Sequence, residues 1–404
     1  IVNAKVEMDG KQFVGEVIED KGNGVIGYKG EVIEEYFGDG SKFGVQIEYI
    51  KEEVPLGTGG ALYFLKSVIK EDFFLINGDI IFDVNFHRFY QHHKLNEGIA
   101  TIFTHPNSHP YDSGVIMADK TGKVIKWMTK EEERTWYKNC VNAGIHILSP
   151  EIFSKFEILD KKDLDRDILK QLIKEEKLYI YQSPEYVKDV GTVDRIAQGL
   201  ADIESGFISA RCLKQKQKCI FLDRDGTINK KNGFIANEDA FELEDCALEA
   251  IKKINKSGYL AVVITNQPSV ARGLCEMEDI ERIHKKLSTL LGREGVYVDD
   301  ILFCPHHPDK GFPEENPLYK IPCECRKPKT GMVDKAAAKY NIDLSQSWMI
   351  GDTTMDLQTG VNAGMRTALV LTGDAGQDKK YDVQPNLIGK DLLEAVEMIL
   401  AADK

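Results

Sequence analysis

No stretch of the 404-residue chain approaches the roughly 18 consecutive apolar residues that a membrane-crossing helix needs. No charged, then apolar, then small-residue leader pattern opens it either, so a cytoplasmic location is expected. Positive charge is not in excess. Lys and Arg number 52 against 65 Asp and Glu, a net charge of -13, which argues against a nucleic-acid or anionic-membrane partner. It leaves room for phosphate substrates held by a metal ion and a few local cations. Cysteine is sparse and uneven. Cys140, Cys212, Cys219, Cys246 and Cys275 are scattered and expected as free thiols. Cys304, Cys323 and Cys325 cluster, which in a reducing compartment suggests a metal rather than a disulfide. An initiating methionine is lacking: the chain begins at Ile1, so an N-terminal piece is expected to be missing. One ordinary core is excluded by length, and two or more domains are expected. The apolar share of 42% and charged share of 29% are those of a soluble globular protein.

What is present centres on Lys218-Cys219-Ile220-Phe221-Leu222-Asp223-Arg224-Asp225-Gly226-Thr227-Ile228. An apolar run bounded in this way predicts a buried parallel strand, and ligands of open α/β sheets bind beyond the strands' carboxyl ends. Asp223 and Asp225 repel one another unless a cation lies between them, which points to Mg²⁺ with one aspartate free to attack phosphorus. Two further strands, 260–264 and 348–350, end in Thr265-Asn266-Gln267 and Gly351-Asp352. Arg326-Lys327 adds cations from a loop. Phosphoryl transfer to a carboxylate needs this inventory: nucleophile, acid/base, metal ligand, hydroxyl donor and cation. A D-x-D-G turn would account for one of these motifs but not for four in order. Asp356 reads equally as support for the metal shell or as a helix N-terminal carboxylate favoured by the dipole.

Cys304-Pro305-His306-His307 and Cys323-Glu324-Cys325 frame a loop rich in proline and poor in apolar residues. Cys304, His306, Cys323 and Cys325 would close a tetrahedral Zn²⁺ site with no open position, hence a structural one. His307 is the alternative ligand. A free-thiol loop is the plainer reading.

The four motifs over 219–372 resemble the haloacid-dehalogenase (HAD) phosphatase signature. The resemblance implies that Asp223 forms an aspartyl-phosphate and that Asp225 serves as acid, then base. Asp223, Asp352 and the Asp225 carbonyl would hold Mg²⁺, while Thr265 and Lys327 would hold phosphoryl oxygens. The zinc loop resembles that of heptose-1,7-bisphosphate and histidinol-phosphate phosphatases, and Thr265-Asn266-Gln267 with Ala271-Arg272-Gly273 leans to the first. Asn266, Arg272 and Arg326 are then candidate substrate contacts. Two departures stand out: Pro268-Ser269 replaces Ser-Gly, and Thr353 follows Asp352 where a phosphate-binding Lys is usual. No large cap is expected.

Residues 28–200 resemble the sugar-1-phosphate nucleotidyltransferases. The stretches are Gly27-Tyr28-Lys29-Gly30, Pro55-Leu56-Gly57-Thr58-Gly59-Gly60, Asn77-Gly78-Asp79, Asn142-Ala143-Gly144-Ile145 and Asp189-Val190-Gly191-Thr192. A glycine-rich loop lets backbone N–H groups approach a ligand. By the resemblance Gly57, Gly59 and Gly60 would meet the base and sugar, Asn142 and Gly144 the sugar, and Asp79 and Asp189 a Mg²⁺. Lys130 would be the sugar-phosphate lysine, though no proline follows it. The family's G-x-G-T-R loop is absent.

The expected architecture is α/β in two domains. A Rossmann-like (GT-A-like) domain over 1–205 precedes a solvated basic linker, 206–218, and a HAD-type parallel-sheet domain without a large cap, 219–404. The expected activity is bifunctional. The 7-phosphate of a D-glycero-D-manno-heptose 1,7-bisphosphate is removed, then a nucleotidyl group, from GTP, is added to the 1-phosphate. The expected partners are sugar phosphates and a nucleoside triphosphate, with homo-oligomerisation left open. The competing expectation is a phosphatase alone, acting on histidinol phosphate or another small phosphomonoester. The N-terminal domain then only binds or dimerises.

Overall fold

The computed structural model describes residues 2–8, 11–17, 21–26, 30–309, 311 and 315–403. Ile1 and Gly27-Tyr28-Lys29, used above, lie outside the described residues. The chain forms two compact units. The first comprises Ile1–Thr104, Met117–Trp127 and Asn142–Ala201; the second comprises His105–Ile116, Met128–Val141 and Asp202–Lys404.

In the first unit β1 (Val2–Met8) and β2 (Lys11–Val17) form an antiparallel hairpin, and β3 (Lys21–Ile26) pairs in parallel with β4 (Gln46–Lys51) beyond α1 (Gly30–Phe37). β5 (Phe73–Ile76), β6 (Ile80–Asp83) and α2 (Phe86–Lys94) follow. Asn85 caps α2 by accepting the Arg88 N–H at 3.1 Å, and Phe86, Phe89 and His93 form its buried face. Then come β7 (Ala100–His105), β8 (Val115–Ala118), β9 (Val124–Met128) and β10 (Val141–Leu148). α3 (Lys170–Lys174), β11 (Leu178–Gln182), β12 (Tyr186–Asp189) and α4 (Val193–Glu204) complete this half. The pairing is mixed rather than wholly parallel. β11 runs parallel to β7 from Leu178↔Ala100 to Gln182↔Thr104, while β5 runs antiparallel to β10. β7 and β10 are buried almost throughout, hence their near-continuous apolar runs.

The second unit is a six-stranded, fully parallel sheet. β13 (Lys218–Leu222) lies at its centre, with β14 (Tyr259–Asn266) and β15 (Asp300–Cys304) on one side. β16 (Trp348–Gly351), β17 (Arg366–Val370) and β18 (Leu387–Gly389) lie on the other, in the order β15-β14-β13-β16-β17-β18. Alternate residues of each strand face opposite layers. Ile220, Leu222, Ala261 and Val263 pack with α6 (Ala247–Asn255), α7 (Met277–Arg293) and α10 (Leu392–Ala402). Cys219, Phe221, Val262 and Ile264 pack with α8 (Gly331–Tyr340). Burial on both faces explains why these strands read as unbroken apolar runs. The chain leaves β13 in one direction for β14 and later returns to its other side with β16. The carboxyl ends of β13 and β16, where Asp223 and Asp352 sit, are therefore the topological switch point. α9 (Thr354–Asn362) starts directly behind Asp352. Among the described residues no helix or strand lies between β13 and α6, so no cap is built there.

Two expectations change. The basic run around 206–218 is only partly solvated. α5 (Phe207–Ala210) opens it, and Arg211, Cys212, Leu213 and Gln217 are buried. Arg211 donates to Tyr259 O at 3.1 Å and to Asp299 Oδ1 at 2.8 Å, and Asp299 Oδ2 accepts the Ala261 N–H at 2.7 Å. A charge in that position serves the start of β14, not solvent. Finally, 105–116 and 128–141 group with the second unit, where Tyr137 N donates to Thr289 Oγ1 of α7 at 2.9 Å.

Candidate active site and metal centres

Asp223, Asp352 and Asp356 are each 8% exposed or less, and one oxygen of each lies within 4.8 Å of the others. β13 delivers the first, β16 the second and the first turn of α9 the third. Lys327 joins them, with Nζ 2.7 Å from Asp223 Oδ1, 2.6 Å from Asp356 Oδ1 and 3.1 Å from Ile264 O. Asp356 completes a capping box with Thr353 at the α9 N-terminus, one of the two readings left open by its sequence, and also bonds Lys327. Asp352 is tightly enclosed. Gly226 has φ +84°, and a β-carbon there would lie 2.5 Å from Asp352 Oδ2, so only glycine lets the backbone after Asp225 close over this carboxylate. Asp352 Oδ2 accepts Asp374 N at 2.7 Å and Lys231 Nζ at 3.0 Å, whereas Oδ1 is buried without a hydrogen-bond partner.

Burial, then the neighbouring Asp356, pushes the Asp223 carboxyl up to about 7, against the opposing pull of Lys327. The same two causes push Asp352 to about 6. Asp223, Asp352, Asp356 and Asp374 face two ammonium groups, those of Lys327 and Lys231. The two charges left over are those of one divalent cation, and the partnerless Asp352 oxygen offers it a ligand. The residues present therefore fit Mg²⁺.

Asp225 faces differently. It accepts Arg224 at 2.8 and 3.0 Å, Gln267 Nε2 at 2.8 Å and Asn229 Nδ2 at 3.0 Å. Burial alone would raise it, but the Arg224 cation and these donors hold it below the usual carboxylate range. Arg224 is itself fully buried and bonded to His284 Nε2 at 3.1 Å and Gln267 Oε1 at 3.0 Å. Thr265 is buried, its hydroxyl accepting Gln267 Nε2 at 2.9 Å. Asn266, expected at the substrate, uses both ends of its amide on the Lys327 backbone, at 3.0 and 3.2 Å.

Cys304, His306, Cys323 and Cys325 converge. The three sulfurs are 3.2 to 3.5 Å apart, and His306 Nδ1 lies 3.3 Å from Cys325 Sγ and 3.7 Å from Cys304 Sγ. These are about the edges of a tetrahedron of thiolates and imidazole around a zinc ion. His307 points elsewhere: its Nδ1 accepts the Asp309 N–H at 3.2 Å. Arg326 Nη1 donates to His306 O at 3.1 Å, so the cluster anchors the residue next to Lys327. Arg272 stacks 4.4 Å over the Phe234 ring, and its charge adds to the burial that lowers Arg326.

In the first unit Asp79 and Asp189 come together beside Gly191. A β-carbon there would lie 3.1 Å from Asp189 Oδ1 and 3.9 Å from Asp79 Oδ2, and Arg195 Nη1 holds Asp189 Oδ2 at 2.9 Å. Asn142 accepts the Gly144 N–H at 2.9 Å and faces Asp165, which burial raises to about 6. The glycine loop packs against protein. A β-carbon on Gly57 or Gly60 would meet Lys162 O at 2.5 Å or Asp160 O at 2.6 Å, and the Gly59 N–H donates to Lys162 O at 3.0 Å. Close approach of 160–162 thus requires glycine at 57 and 60, two of the three positions expected at base and sugar. Lys130, which groups with the second unit, lies 3.7 Å from Asp112 of that unit.

Sequence reasoning missed Arg224, Asn229, Lys231, Gln267 and Asp374 as parts of the site. Arg224 carried one signal, a large cation between two aspartates at the end of a buried strand. Lys231 and Asp374 carried none, because each arrives from a loop with no pattern.

A family model described as nucleotidyl transferase matches residues 25–206, and one described as HAD-hydrolase-like matches 324–395. A D-glycero-beta-D-manno-heptose-1,7-bisphosphate 7-phosphatase of Photorhabdus laumondii is 36% identical over 185 residues, 46% of this chain and 96% of its own length. That of Escherichia coli K12 is 40% identical over 155 residues, 38% of this chain and 79% of its own. The solved D,D-heptose 1,7-bisphosphate phosphatase of B. bronchiseptica, complexed with magnesium and phosphate, is 32% identical. It covers 46% of this chain and 99% of its own at a TM-score of 0.41.

Proposed function

The chain belongs, through its C-terminal half, to the D-glycero-beta-D-manno-heptose-1,7-bisphosphate 7-phosphatases and carries a nucleotidyl transferase region before it; from that premise we propose that it catalyses two consecutive steps on one heptose phosphate. The second unit removes the 7-phosphate of D-glycero-D-manno-heptose 1,7-bisphosphate. The first transfers a nucleotidyl group from GTP to the 1-phosphate that remains. The observation that carries the reading is Lys327 bonded to Asp223 within a buried carboxylate cluster whose Asp352 oxygen lacks a partner.

Asp223 attacks phosphorus, and an aspartyl-phosphate forms as the C7 oxygen leaves. Lys327 and the Thr265 hydroxyl hold the phosphoryl oxygens. Asp225 gives the leaving oxygen its proton, then takes one from the water that cleaves the acyl phosphate. The Arg224, Gln267 and Asn229 donors favour the ionised carboxylate used in that second half. Mg²⁺, held by Asp223, Asp352 and the Asp225 carbonyl, would supply charge neutralisation at the phosphoryl oxygens. Zn²⁺ on Cys304, His306, Cys323 and Cys325 would order the loop that presents Arg326 and Lys327. In the first unit, Asp79 and Asp189 would hold the cation of the nucleotide.

The test is phosphate release by the full chain from the bisphosphate against histidinol phosphate. Faster turnover of histidinol phosphate overturns the heptose assignment. Pyrophosphate release with heptose 1-phosphate and GTP, ATP, CTP or UTP tests the second activity. The Gly59 N–H taken by Lys162 favours the alternative, a non-catalytic first unit, and turnover with any of the four nucleotides rejects it.

A further inference from the structure

Lys231 lies in the segment after β13, and its side chain is 29% exposed. Its Nζ is 3.0 Å from Asp352 Oδ2 and 2.6 Å from Asp374 Oδ2. It is thus the second ammonium at the carboxylate cluster, beside the Lys327 that pairs with Asp223 and Asp356. The segment following Asp352 supplies no cation of its own, because Thr353 is neutral and its hydroxyl is bonded to Asp356. A phosphoryl dianion entering among four carboxylates needs positive charge beyond one lysine and one divalent ion. An ammonium has three donors, and two of those on Lys231 are engaged by Asp352 and Asp374. Asp352 Oδ1, the oxygen without a partner, is not the one Lys231 touches, so a metal on Oδ1 and the ammonium on Oδ2 can coexist.

Resting on the phosphatase reading, we infer that Lys231 is a phosphoryl-binding residue of this site, its third N–H donating to a phosphoryl oxygen. The neighbouring Lys230 pairs with Glu242 and has no such role.

The experiment uses the full chain and orthovanadate as a mimic of the transferring phosphoryl group. Vanadate binding and Mg²⁺ binding are titrated separately for wild type, Lys231→Met, Lys231→Arg and Lys230→Met. Loss of one charge-assisted hydrogen bond should weaken vanadate binding about tenfold or more in Lys231→Met. Mg²⁺ binding should hold or tighten, Lys231→Arg should retain most of the vanadate affinity, and Lys230→Met should match wild type. Unchanged vanadate affinity in Lys231→Met overturns the inference. So does a parallel loss of Mg²⁺ affinity, which would make Lys231 a positioning residue for Asp352. If Lys231→Met does not fold, Lys231→Arg and Lys231→Gln replace it, with the same split between anion and metal deciding. The assay contains no sugar, so failure of the heptose assignment leaves this result standing.

Discussion

The Lys327 ammonium lies 2.7 Å from Asp223 Oδ1, inside a site where both side chains are almost wholly enclosed. In the proposed mechanism this pair joins the attacking carboxylate and the cation for its phosphoryl group in a single unit. Asp223→Asn, which would remove that nucleophile, should lower phosphate release by at least about a thousandfold, with the fold intact. Lys327→Met should be nearly as severe, because it leaves Asp223 and Asp356 facing one another uncompensated. Steady-state kinetics beside circular dichroism check both, and an active Asp223→Asn enzyme would overturn the mechanism.

Metal binding should depend steeply on pH. The Asp223 carboxyl, raised to about 7, holds its proton below that pH, and a cation must displace it. Mg²⁺ affinity should be full above pH 7 and weaken about tenfold per unit below it. The loss should steepen below about 6, where Asp352 also takes up a proton. Calorimetric Mg²⁺ titrations between pH 5 and 8 read this directly, and a flat profile contradicts it.

One zinc per chain should copurify with the protein. Chelation, or Cys323→Ser, should abolish phosphatase activity, since Arg326 and Lys327 follow Cys325 directly. His306→Ala should behave likewise and His307→Ala should keep its metal. Elemental analysis paired with activity distinguishes these outcomes.

Arg211→Met should destabilise the second unit by about 3–5 kcal/mol, because the buried Asp299 loses the guanidinium 2.8 Å from its Oδ1 that compensates its charge. Urea unfolding measures it. A shift of a few tenths would restore the solvated-linker reading.

Gly57→Ala should act on stability rather than on nucleotide affinity. Gly57 has φ +77°, and a β-carbon there meets Lys162 O. Backbone strain alone costs about 1–2 kcal/mol. Thermal unfolding with and without GTP separates the effects. Unchanged stability with lost GTP binding would return this loop to the nucleotide site.

The two α/β halves, the parallel strands around Asp223 and the spacing that brings Cys304, His306, Cys323 and Cys325 together were legible from residue order alone. Each is a short-range property: an apolar run, a glycine stop, or two cysteines one residue apart. Asp223, Asp352 and Lys327 could be named because each closes a recognisable strand or motif. What chain order could not convey is which way a side chain turns once the strands are stacked. Asp225 faces its own neighbour Arg224, while Asn266 clasps the Lys327 backbone and Asp356 joins a helix cap to the Lys327 ammonium through contacts between residues far apart in sequence. Lys231 and Asp374 reach Asp352 from loops distant in sequence. The basic stretch near Arg211 reads as polar and exposed, yet the buried Asp299, just before β15, draws its arginine inside. Local pattern set the elements of this protein; the electrostatics of bringing their ends together decided which charges meet.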